Sequence, residues 1–409
     1  MPRTSAWRGQ GFREKNGYSL IFGARESGMT SSNKKLSSET LCIHAGAGDF
    51  PAPFGLNTPI VTSSAFDYRA DHVRYPRYHN TLNHDIVAAR VAALESGEAG
   101  LITASGMGAI SAVFFSLMKP GDHAILLDGL YGGTMDLVEG LLKPMGMRFS
   151  IWDGQPDHLD ALVTEHTRLV HVESPTNPLM QIIDLAATAA SARRLGLVSI
   201  IDNTFATPIL QRPIELGFDL VVHSGTKYFA GHSDLLSGAI VTSQALMSRI
   251  RPTAIRLGSS LNGQDLALLE RSLKTLALRI ERQSANATAL AVELDQHPAV
   301  STVFYPGLES DSGFSLAERQ MSSFGAMLSF RLAQHIDPER FLDRLALIQP
   351  AVSLAGVEST ICQPSRTSHA KLAAAERDRL GIDDRLMRLS VGIENTDDLW
   401  HDLNLALGD

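Results

Sequence analysis

Apolar and polar positions alternate in two different ways along the chain, and the difference predicts its secondary structure. Between residue 83 and about residue 280, short apolar runs bounded by polar or turn residues alternate with stretches of helical periodicity. Four of these runs have the length and the mainly apolar composition of buried parallel strands. They cover residues 124–127, 169–172, 198–201 and 220–222. The alternation is typical of an α/β sheet.

Helical periodicity fills the intervals between these runs. Residues 85–94 and residues 185–195 both carry apolar side chains at helical spacing, and Gly196 ends the second stretch. A long amphipathic pattern over residues 272–294 predicts one helix that links to a second domain. The tail contains a strand-like run at residues 327–330 and helical patterns at residues 338–345 and 397–407.

Charge is spread unevenly over the 409 residues, which carry 36 Lys and Arg against 44 Asp and Glu for a formal net charge of −8. Residues 1–38 are basic, rich in Ser and Gly and without periodicity, so they predict a flexible basic extension. A basic targeting peptide is the alternative, which Glu14 and Glu26 weaken. The acidic balance of the rest excludes a generic nucleic-acid or membrane-surface binder. No apolar run approaches the ~20 residues that span a bilayer.

The cysteines and histidines predict neither a disulfide framework nor a metal site. The two cysteines, Cys42 and Cys362, are far apart in the sequence, which favours a reducing, cytoplasmic setting. His44, His123 and His297 do not have the spacing of metal ligands. We therefore expect no metal in the site.

A lysine flanked by hydroxyl groups follows the last of the four apolar runs. Residues 220–222 lead directly into Ser224, Thr226 and Lys227. In open α/β sheets, ligands bind at the carboxyl ends of the strands. The two hydroxyl groups can donate hydrogen bonds to phosphate oxygens, and the lysine amine can form an imine with an aldehyde. A solvent-exposed loop lysine is the alternative, and two other strand ends argue against it.

Polar residues also follow the second and third apolar runs. Asp202 can keep a pyridinium nitrogen protonated, so that the ring acts as an electron sink, or it can cap a helix. Asn177 lies in a turn fixed by two prolines. Upstream, Gly106 and Met107 lie in a Gly/Ser-rich turn before an apolar helical run, where free N–H groups can bind an anion. Each signal is weak alone, whereas the ordered set that ends at Lys227 is specific.

This ordered set resembles the Cys/Met metabolism PLP-dependent enzymes, which include cystathionine γ-synthase, cystathionine β- and γ-lyases and methionine γ-lyase. The resemblance covers about residues 40–409 and implies pyridoxal 5'-phosphate (PLP) as cofactor. It implies an α/β fold of the PLP-dependent transferase type I, with a mainly parallel central sheet and a smaller α+β C-terminal domain. We expect an N-terminal arm at residues 39–82 that reaches the neighbouring subunit, a PLP-binding domain at 83–280 and a C-terminal domain at 281–409. A homotetramer, built as a dimer of dimers with shared active sites, is implied as well.

The resemblance also implies roles for individual residues. Lys227 would carry the cofactor and move protons, and Tyr131 would stack on the ring and assist proton transfer. Arg388 would clamp the substrate α-carboxylate, a bidentate task that suits a planar guanidinium. The remaining matches are Asp202 at the ring nitrogen, Asn177 at the ring 3-oxygen, Gly106, Met107, Ser224 and Thr226 at the phosphate, and Ser353, which steers the lysine and the substrate.

The predicted arm matches the family's sequence pattern at two residues and differs from it at the residues that follow. Tyr75 and Arg77 match a Tyr-x-Arg pair that reaches across the dimer to the neighbour's phosphate, although the Asn-Pro-Thr that usually follows is replaced at residues 80–82. Arg74 and Asp136 each carry the charge opposite to the one common at their positions in the synthase and γ-lyase branches. We expect them to grip the distal amino-acid group of cystathionine as a swapped pair, or to be ordinary surface charges.

Three more positions bear on the reaction. Val352 precedes Ser353 where the synthase and γ-lyase branches tend to carry Glu and methionine γ-lyases tend to carry Val. Gly133 stands where methionine γ-lyases typically place a reactive cysteine, which disfavours that enzyme. Arg366 stands where a small or neutral residue is expected, and it either reads an acidic substrate tail or is simply exposed.

These matches predict a PLP-dependent carbon–sulfur lyase of sulfur amino acid metabolism, which performs β- or γ-elimination on cystathionine or a related substrate. The alternative is cystathionine γ-synthase, which replaces the γ-substituent of an O-acylhomoserine with cysteine. A catalytically silent PLP-binding protein and an aminotransferase agree less well with the motif set.

Overall fold

The computed structural model describes residues 36–46, 56–370 and 373–408, so most of the predicted basic extension lies outside the described residues. A seven-stranded sheet forms the centre of the described chain. Its strands are β1 (Ala99–Thr103), β2 (His123–Leu127), β3 (Arg148–Trp152), β4 (Thr167–Glu173), β5 (Val198–Asp202), β6 (Leu220–His223) and β7 (Gly238–Thr242). Their spatial order is β3-β2-β4-β5-β6-β7-β1, and only β7 runs against its neighbours among these strands. The predicted mainly parallel central sheet is therefore confirmed.

A five-stranded, mostly antiparallel sheet follows in the second half of the described chain. Its strands are β8 (Val300–Phe304), β9 (Met327–Leu332), β10 (Gln349–Pro350), β11 (Thr360–Cys362) and β12 (Leu386–Ser390). Their spatial order is β10-β11-β12-β9-β8, and only the β10–β11 pair among them is parallel. This smaller sheet confirms the expected α+β character of the C-terminal part.

Helices pack against both sheets. In chain order they are α1 (Ser38–His44), α2 (Leu82–Leu94), α3 (Gly106–Leu117), α4 (Gly132–Leu137), α5 (Leu185–Arg194), α6 (Thr207–Leu210), α7 (Gln244–Leu257), α8 (Gly263–Leu273), α9 (Leu276–Gln296), α10 (Phe314–Gln320), α11 (Pro338–Arg344), α12 (Ala374–Arg379) and α13 (Thr396–Leu407). Among the described residues, none of these helices is both long and apolar enough to cross a membrane.

The helix predicted over residues 272–294 is confirmed from Leu276 onward as α9, but its predicted start is wrong, because residues 272 and 273 belong to the preceding helix. That helix, α8, ends at Leu273, and α9 begins at Leu276 after a break at Thr275, where φ is −111° and ψ is 9°. Leu273 and Leu276 are both fully buried. The apolar pattern therefore continues across the break and hides it.

The long helix α9 joins two hydrophobic cores. Leu276 and Ile280 near its start pack into the core around the seven-stranded sheet. Leu290 and Leu294 near its end pack into the core of the smaller sheet. The boundary expected between residues 280 and 281 stays a prediction, and the single helix α9 runs through it.

Candidate active site

A cavity of about 1350 Å³ opens at the edge of the large sheet where its parallel strands end. Because these carboxyl ends meet at one edge, side chains far apart in the sequence converge there. Eleven of the fourteen predicted site residues line the cavity: Gly106, Met107, Tyr131, Asp136, Asn177, Asp202, Ser224, Thr226, Lys227, Ser353 and Arg388. The other three, Arg74, Tyr75 and Arg77, lie outside it in this protomer.

Lys227 lies in the turn that follows β6. Its backbone N–H donates to Ser224 O at 3.1 Å, which closes the turn and points the side chain into the cavity. The amine Nζ donates to Ser353 Oγ at 2.7 Å. Burial and the neighbouring positive charge of Arg388 lower the pKa of Lys227 to about 8. More of this amine is therefore neutral, and nucleophilic, near neutral pH than of an exposed lysine.

Arg388 extends from β12 into the same cavity. Its Nη1 donates to Asn177 Oδ1 at 2.9 Å, and its Nη2 donates to Ser353 O at 3.4 Å. Its Nε is buried and has no hydrogen-bond partner among the described residues. A buried donor without an acceptor is unfavourable, and a carboxylate can supply the missing acceptor bidentately.

Ser353 connects the lysine to the arginine. Its hydroxyl accepts from Lys227 and its carbonyl oxygen accepts from Arg388. The residue has φ of +76°, in the left-handed region that non-glycine residues seldom adopt. Such strain is tolerated where the surroundings fix the backbone, and here it aims both polar groups of one serine at the site.

Two buried carboxyl groups lie side by side at the ends of β4 and β5, where Glu173 pairs in register with Asp202. Asp202 Oδ1 accepts from the Thr204 N–H at 3.0 Å and also from the Thr204 hydroxyl. Burial raises the pKa of Asp202. Burial and the charge of Asp202 raise the pKa of Glu173 well above its usual value. The pair therefore resists carrying two negative charges at once.

The start of α3 forms one end of the cavity. Ser105 caps the helix, since its Oγ accepts from the Gly108 N–H at 3.0 Å. A Cβ on Gly106 would lie 2.8 Å from Ser224 Cβ, so the helix start can approach this turn only with glycine. The N–H groups of Gly106 and Met107 have no acceptor within the helix. Together with the Ser224 hydroxyl they form a cradle for an anion.

The hydroxyl of Thr226 is already engaged next to this cradle. It donates to Ser237 O at 3.2 Å and accepts from the Ser237 N–H at 3.0 Å. Its predicted contact with the phosphate stays a prediction, and that contact would compete with the bond to Ser237 O.

Tyr131 also lines the cavity and lies immediately before α4. Its backbone N–H donates to Glu173 Oε2 at 2.9 Å, and 41% of the residue is exposed. A Cβ on Gly133 would collide with the Tyr131 ring and would lie 3.2 Å from Met107 Sδ. Glycine at position 133 thus leaves the space that the tyrosine ring occupies.

The three residues outside the cavity belong to the predicted arm. Arg77 Nη1 donates to Ile255 O at 3.1 Å, and Tyr75 is exposed. Arg74 forms an ion pair with Asp85 at 2.9 Å and donates to Asn80 O at 2.6 Å. Within one protomer, Arg74 is therefore paired outside the cavity that Asp136 lines.

Sequence reasoning missed several residues of the cavity. Glu173 was not singled out, although it follows its apolar run just as Asp202 does. Asp128 lines the mouth of the cavity and forms a bidentate ion pair with Arg379 at 2.7 and 2.8 Å. His369 lies beside Arg388, and burial together with that charge lowers its pKa to about 4. Arg366, which the sequence analysis does single out, lines the cavity and pairs with Glu339.

The fold and this cavity define a lysine-dependent α/β enzyme that binds an anionic ligand. Comparison with known proteins identifies the family. Residues 39–408 match the family described as Cys/Met metabolism PLP-dependent enzyme. A cystathionine β-lyase from Coxiella burnetii is 42% identical over 93% of this chain and 100% of its own length. An L-methionine γ-lyase from Pseudomonas putida is 41% identical over 93% and 99%.

Solved structures agree with these sequence matches. Cystathionine γ-lyase from Lactobacillus plantarum, complexed with L-serine, superposes with a TM-score of 0.87 at 39% identity, covering 91% of this chain and 98% of that one. Cystathionine γ-synthase from Xanthomonas oryzae pv. oryzae, in complex with cystathionine, gives a TM-score of 0.88 at 37% identity over 91% and 98%. The chain belongs to the Cys/Met metabolism PLP-dependent enzymes, and its cofactor is pyridoxal 5'-phosphate.

The residues of the cavity fit this cofactor. The close approach of Gly106 to Ser224 builds an anion cradle of the kind that a phosphate requires. The amine of Lys227 faces the same cavity and has a lowered pKa, as covalent capture of an aldehyde requires. A buried carboxyl group, Asp202, is available for the ring nitrogen.

Proposed function

We propose that this chain is a carbon–sulfur lyase that acts on cystathionine or a related sulfur amino acid by β- or γ-elimination. The observation that carries the proposal is that Lys227 and Arg388 line the same cavity. The lysine amine has a pKa of about 8, and the arginine has a buried donor without an acceptor. One group can move protons near neutral pH and the other can hold a carboxylate, which suits an amino-acid substrate.

The chain's own residues orient the substrate and move its protons. Bound pyridoxal phosphate supplies an aldehyde for covalent linkage to an amine and a ring that withdraws electrons from the substrate α-carbon. Arg388 holds the α-carboxylate, which fixes the Cα–H bond in relation to the Lys227 amine. Lys227 takes the proton from Cα. In β-elimination the Cβ–S bond then breaks, its electron pair leaves with the sulfur, and Lys227 or the Tyr131 hydroxyl protonates the departing thiolate. In γ-elimination a proton is also removed from Cβ before the Cγ–S bond breaks and the thiolate is protonated.

The remaining predicted roles complete the cofactor site. Ser353 holds the Lys227 amine by the hydrogen bond described above and so limits where the proton can be delivered. The cofactor contacts that we propose are Asp202 at the ring nitrogen, Asn177 at the 3-oxygen, and Gly106, Met107, Ser224 and Thr226 at the phosphate.

The distal end of the substrate is proposed to meet Asp136. This residue lines the cavity, whereas Arg74 of the same protomer is held by Asp85 outside it. The proposed swapped pair therefore requires Arg74 from a neighbouring subunit. The alternative, that Arg74 is an ordinary surface charge, is supported by its pairing with Asp85.

A shared site belongs to the same proposal. Tyr75 and Arg77 lie outside their own cavity and at least partly exposed, as residues that reach a neighbour's phosphate must. We propose a homotetramer built as a dimer of dimers. A reducing, cytoplasmic setting is proposed as well, since Cys42 and Cys362 are both free thiols and buried.

Product analysis tests the proposed reaction. Purified, PLP-loaded protein is incubated with L-cystathionine alone, and the products are identified by mass spectrometry. Homocysteine with pyruvate would identify β-elimination, and cysteine with 2-oxobutyrate would identify γ-elimination. Lys227→Ala should abolish either pair of products, whereas the matched control Lys119→Ala removes an exposed lysine outside the cavity and should keep full activity.

Cystathionine γ-synthase is the second candidate, supported by the similarity to the synthase from Xanthomonas oryzae. The same protein is therefore also incubated with an O-acylhomoserine and cysteine. Cystathionine formed in this mixture, with no products from cystathionine alone, would replace the lyase proposal by the synthase.

A further inference from the structure

Glu173 is a buried carboxyl group of the cavity to which the roles above give no task. It ends β4, and both of its oxygens accept hydrogen bonds from the backbone. Oε2 accepts from the Tyr131 N–H at 2.9 Å, and Oε1 accepts from the Asn177 N–H at 3.1 Å. One side chain thus satisfies two backbone donors on different segments of the chain.

These two hydrogen bonds connect two different loops that line the cavity. Tyr131 lies in the connection from β2 to α4, and Asn177 lies in the connection from β4 to α5. Asn177 extends the linkage, because its Oδ1 accepts from Arg388 Nη1 at 2.9 Å. A continuous chain of hydrogen bonds therefore runs from Tyr131 through Glu173 and Asn177 to Arg388.

We propose that Glu173 is a positioning residue that sets the separation between Tyr131 and Arg388 in the cavity. It acts through the backbone of both loops and not by contact with the substrate. Its position beside Asp202 is electrostatically unfavourable, since burial and a neighbouring carboxyl group both oppose its ionisation. The two backbone hydrogen bonds compensate for this unfavourable electrostatic energy. The inference deepens the proposed function and rests on it where activity is measured.

Glu173→Gln tests the proposal in the PLP-loaded protein. Glutamine keeps one carbonyl oxygen but presents an NH₂ group to the second backbone N–H, so one of the two loops loses its acceptor. We expect kcat/KM for cystathionine to fall about 100-fold, as for displacements of about 1 Å within a catalytic site. Hydrogen exchange, followed by mass spectrometry, should become faster in the peptides that contain Tyr131 or Asn177 and stay unchanged elsewhere.

Asp402→Asn is the matched control. Asp402 is also a buried carboxyl group that accepts only backbone N–H bonds among those described, from Ala346, Leu347 and Ile348, and it does not line the cavity. This control should keep its kcat/KM, which separates a specific role in the site from a general loss of buried hydrogen bonds. A kcat/KM of Glu173→Gln within about threefold of this control would overturn the proposal.

The exchange measurement does not depend on the substrate. Unchanged exchange at both peptides in Glu173→Gln would overturn the positioning role, whatever the activity. If the wild-type protein has no lyase activity but exchange accelerates as expected, only the proposed function fails. Should Glu173→Gln not fold, Glu173→Asp keeps both acceptors on a side chain about 1.5 Å shorter. Wild-type kcat/KM in that variant would overturn the proposal, and a loss with PLP still bound would support it.

Discussion

Lys227 owes its reactivity to its surroundings within the site. Burial penalises the ammonium form, and the guanidinium of Arg388 penalises it further, so the pKa of the amine falls to about 8. Ser353 Oγ accepts from this amine at 2.7 Å and so fixes its direction without neutralising its charge. The same arginine that would bind the substrate thus also helps to keep the lysine able to take a proton.

The pH dependence of Lys227 follows from this arrangement. In the cofactor-free protein, its reaction with acetic anhydride should rise through a midpoint at about pH 8, because only the neutral amine reacts. Peptide mass spectrometry between about pH 6 and about pH 10 measures this midpoint, with the exposed Lys119 as internal reference. A midpoint at the usual value for lysine would contradict the effect of burial.

Removal of the arginine charge separates its contribution from that of burial. Arg388→Ala should move the Lys227 midpoint upward, because the ammonium form is then opposed by burial alone. Arg385→Ala is a suitable control, since Arg385 precedes β12, pairs with Asp383 and does not line the cavity. An equal midpoint in both variants would show that the charge of Arg388 has no influence on the amine.

At the scale of secondary structure, the contact between α3 and the turn after β6 shapes the anion cradle. The helix start approaches Ser224 so closely that a Cβ at Gly106 would lie 2.8 Å from Ser224 Cβ and 2.9 Å from its Cα. Ser224 in turn is held by its N–H, which donates to Thr204 Oγ1 at 2.8 Å. Neither the start of α3 nor Ser224 can move freely away from the other, so the distance between the phosphate-binding groups is fixed.

Gly106→Ala should therefore weaken the binding of PLP. The added methyl group forces α3 away from Ser224, and the loss of one charge-assisted hydrogen bond would raise Kd about tenfold or more. Titration of the cofactor-free protein with PLP measures this change. Gly140→Ala is the matched control, because a Cβ there has nothing within 4 Å. Equal values of Kd for the two variants would show that the close contact is not needed for binding.

Elements were predictable where their hydrophobic pattern is nearly complete. The strands β2, β4, β5 and β6 are mainly apolar and buried, although His171 interrupts β4 and Ser199 interrupts β5, and all four are predicted. The pattern does not reveal β1 and β7, since Gly100 interrupts the first and Gly238 begins the second. It also placed the start of α2 three residues late, because Asn83 and His84 are buried in spite of being polar. Burial of polar side chains depends on tertiary contacts that one sequence does not display.

At the scale of the whole molecule, the site is assembled from segments that span most of the chain. Motifs identified the cavity residues from Gly106 to Arg388, because each motif is local in sequence. The hydrogen bonds of Glu173 could not be predicted in this way, since they join loops whose approach depends on the packed sheet. The bond from Arg388 to Asn177 depends likewise on how the smaller sheet packs against the larger one.

The proposed role of the arm depends on a second subunit. Tyr75 and Arg77 lie outside their own cavity, and the Arg77 guanidinium lies 5.7 Å from the centre of the Tyr75 ring. If they serve a neighbour, one complete site combines Lys227 of one subunit with Arg77 of another. A variant that lacks the lysine and a variant that lacks the arginine are then each inactive alone, but a mixed dimer of the two should contain one intact site.

Mixing of Lys227→Ala with Arg77→Ala tests this sharing. After joint dissociation and reassociation at equal amounts, half of the dimers are hybrid, and each hybrid has one intact site, so activity should reach about a quarter of the wild-type value. Lys227→Ala mixed with Asp202→Asn is the control, because both residues line the cavity of the same protomer and no intact site can form. The measurement is the lyase activity of each mixture, compared with the mean activity of the two unmixed variants. If the first mixture does not exceed that mean, Arg77 does not complete a neighbour's site, and the exposed arm needs another explanation.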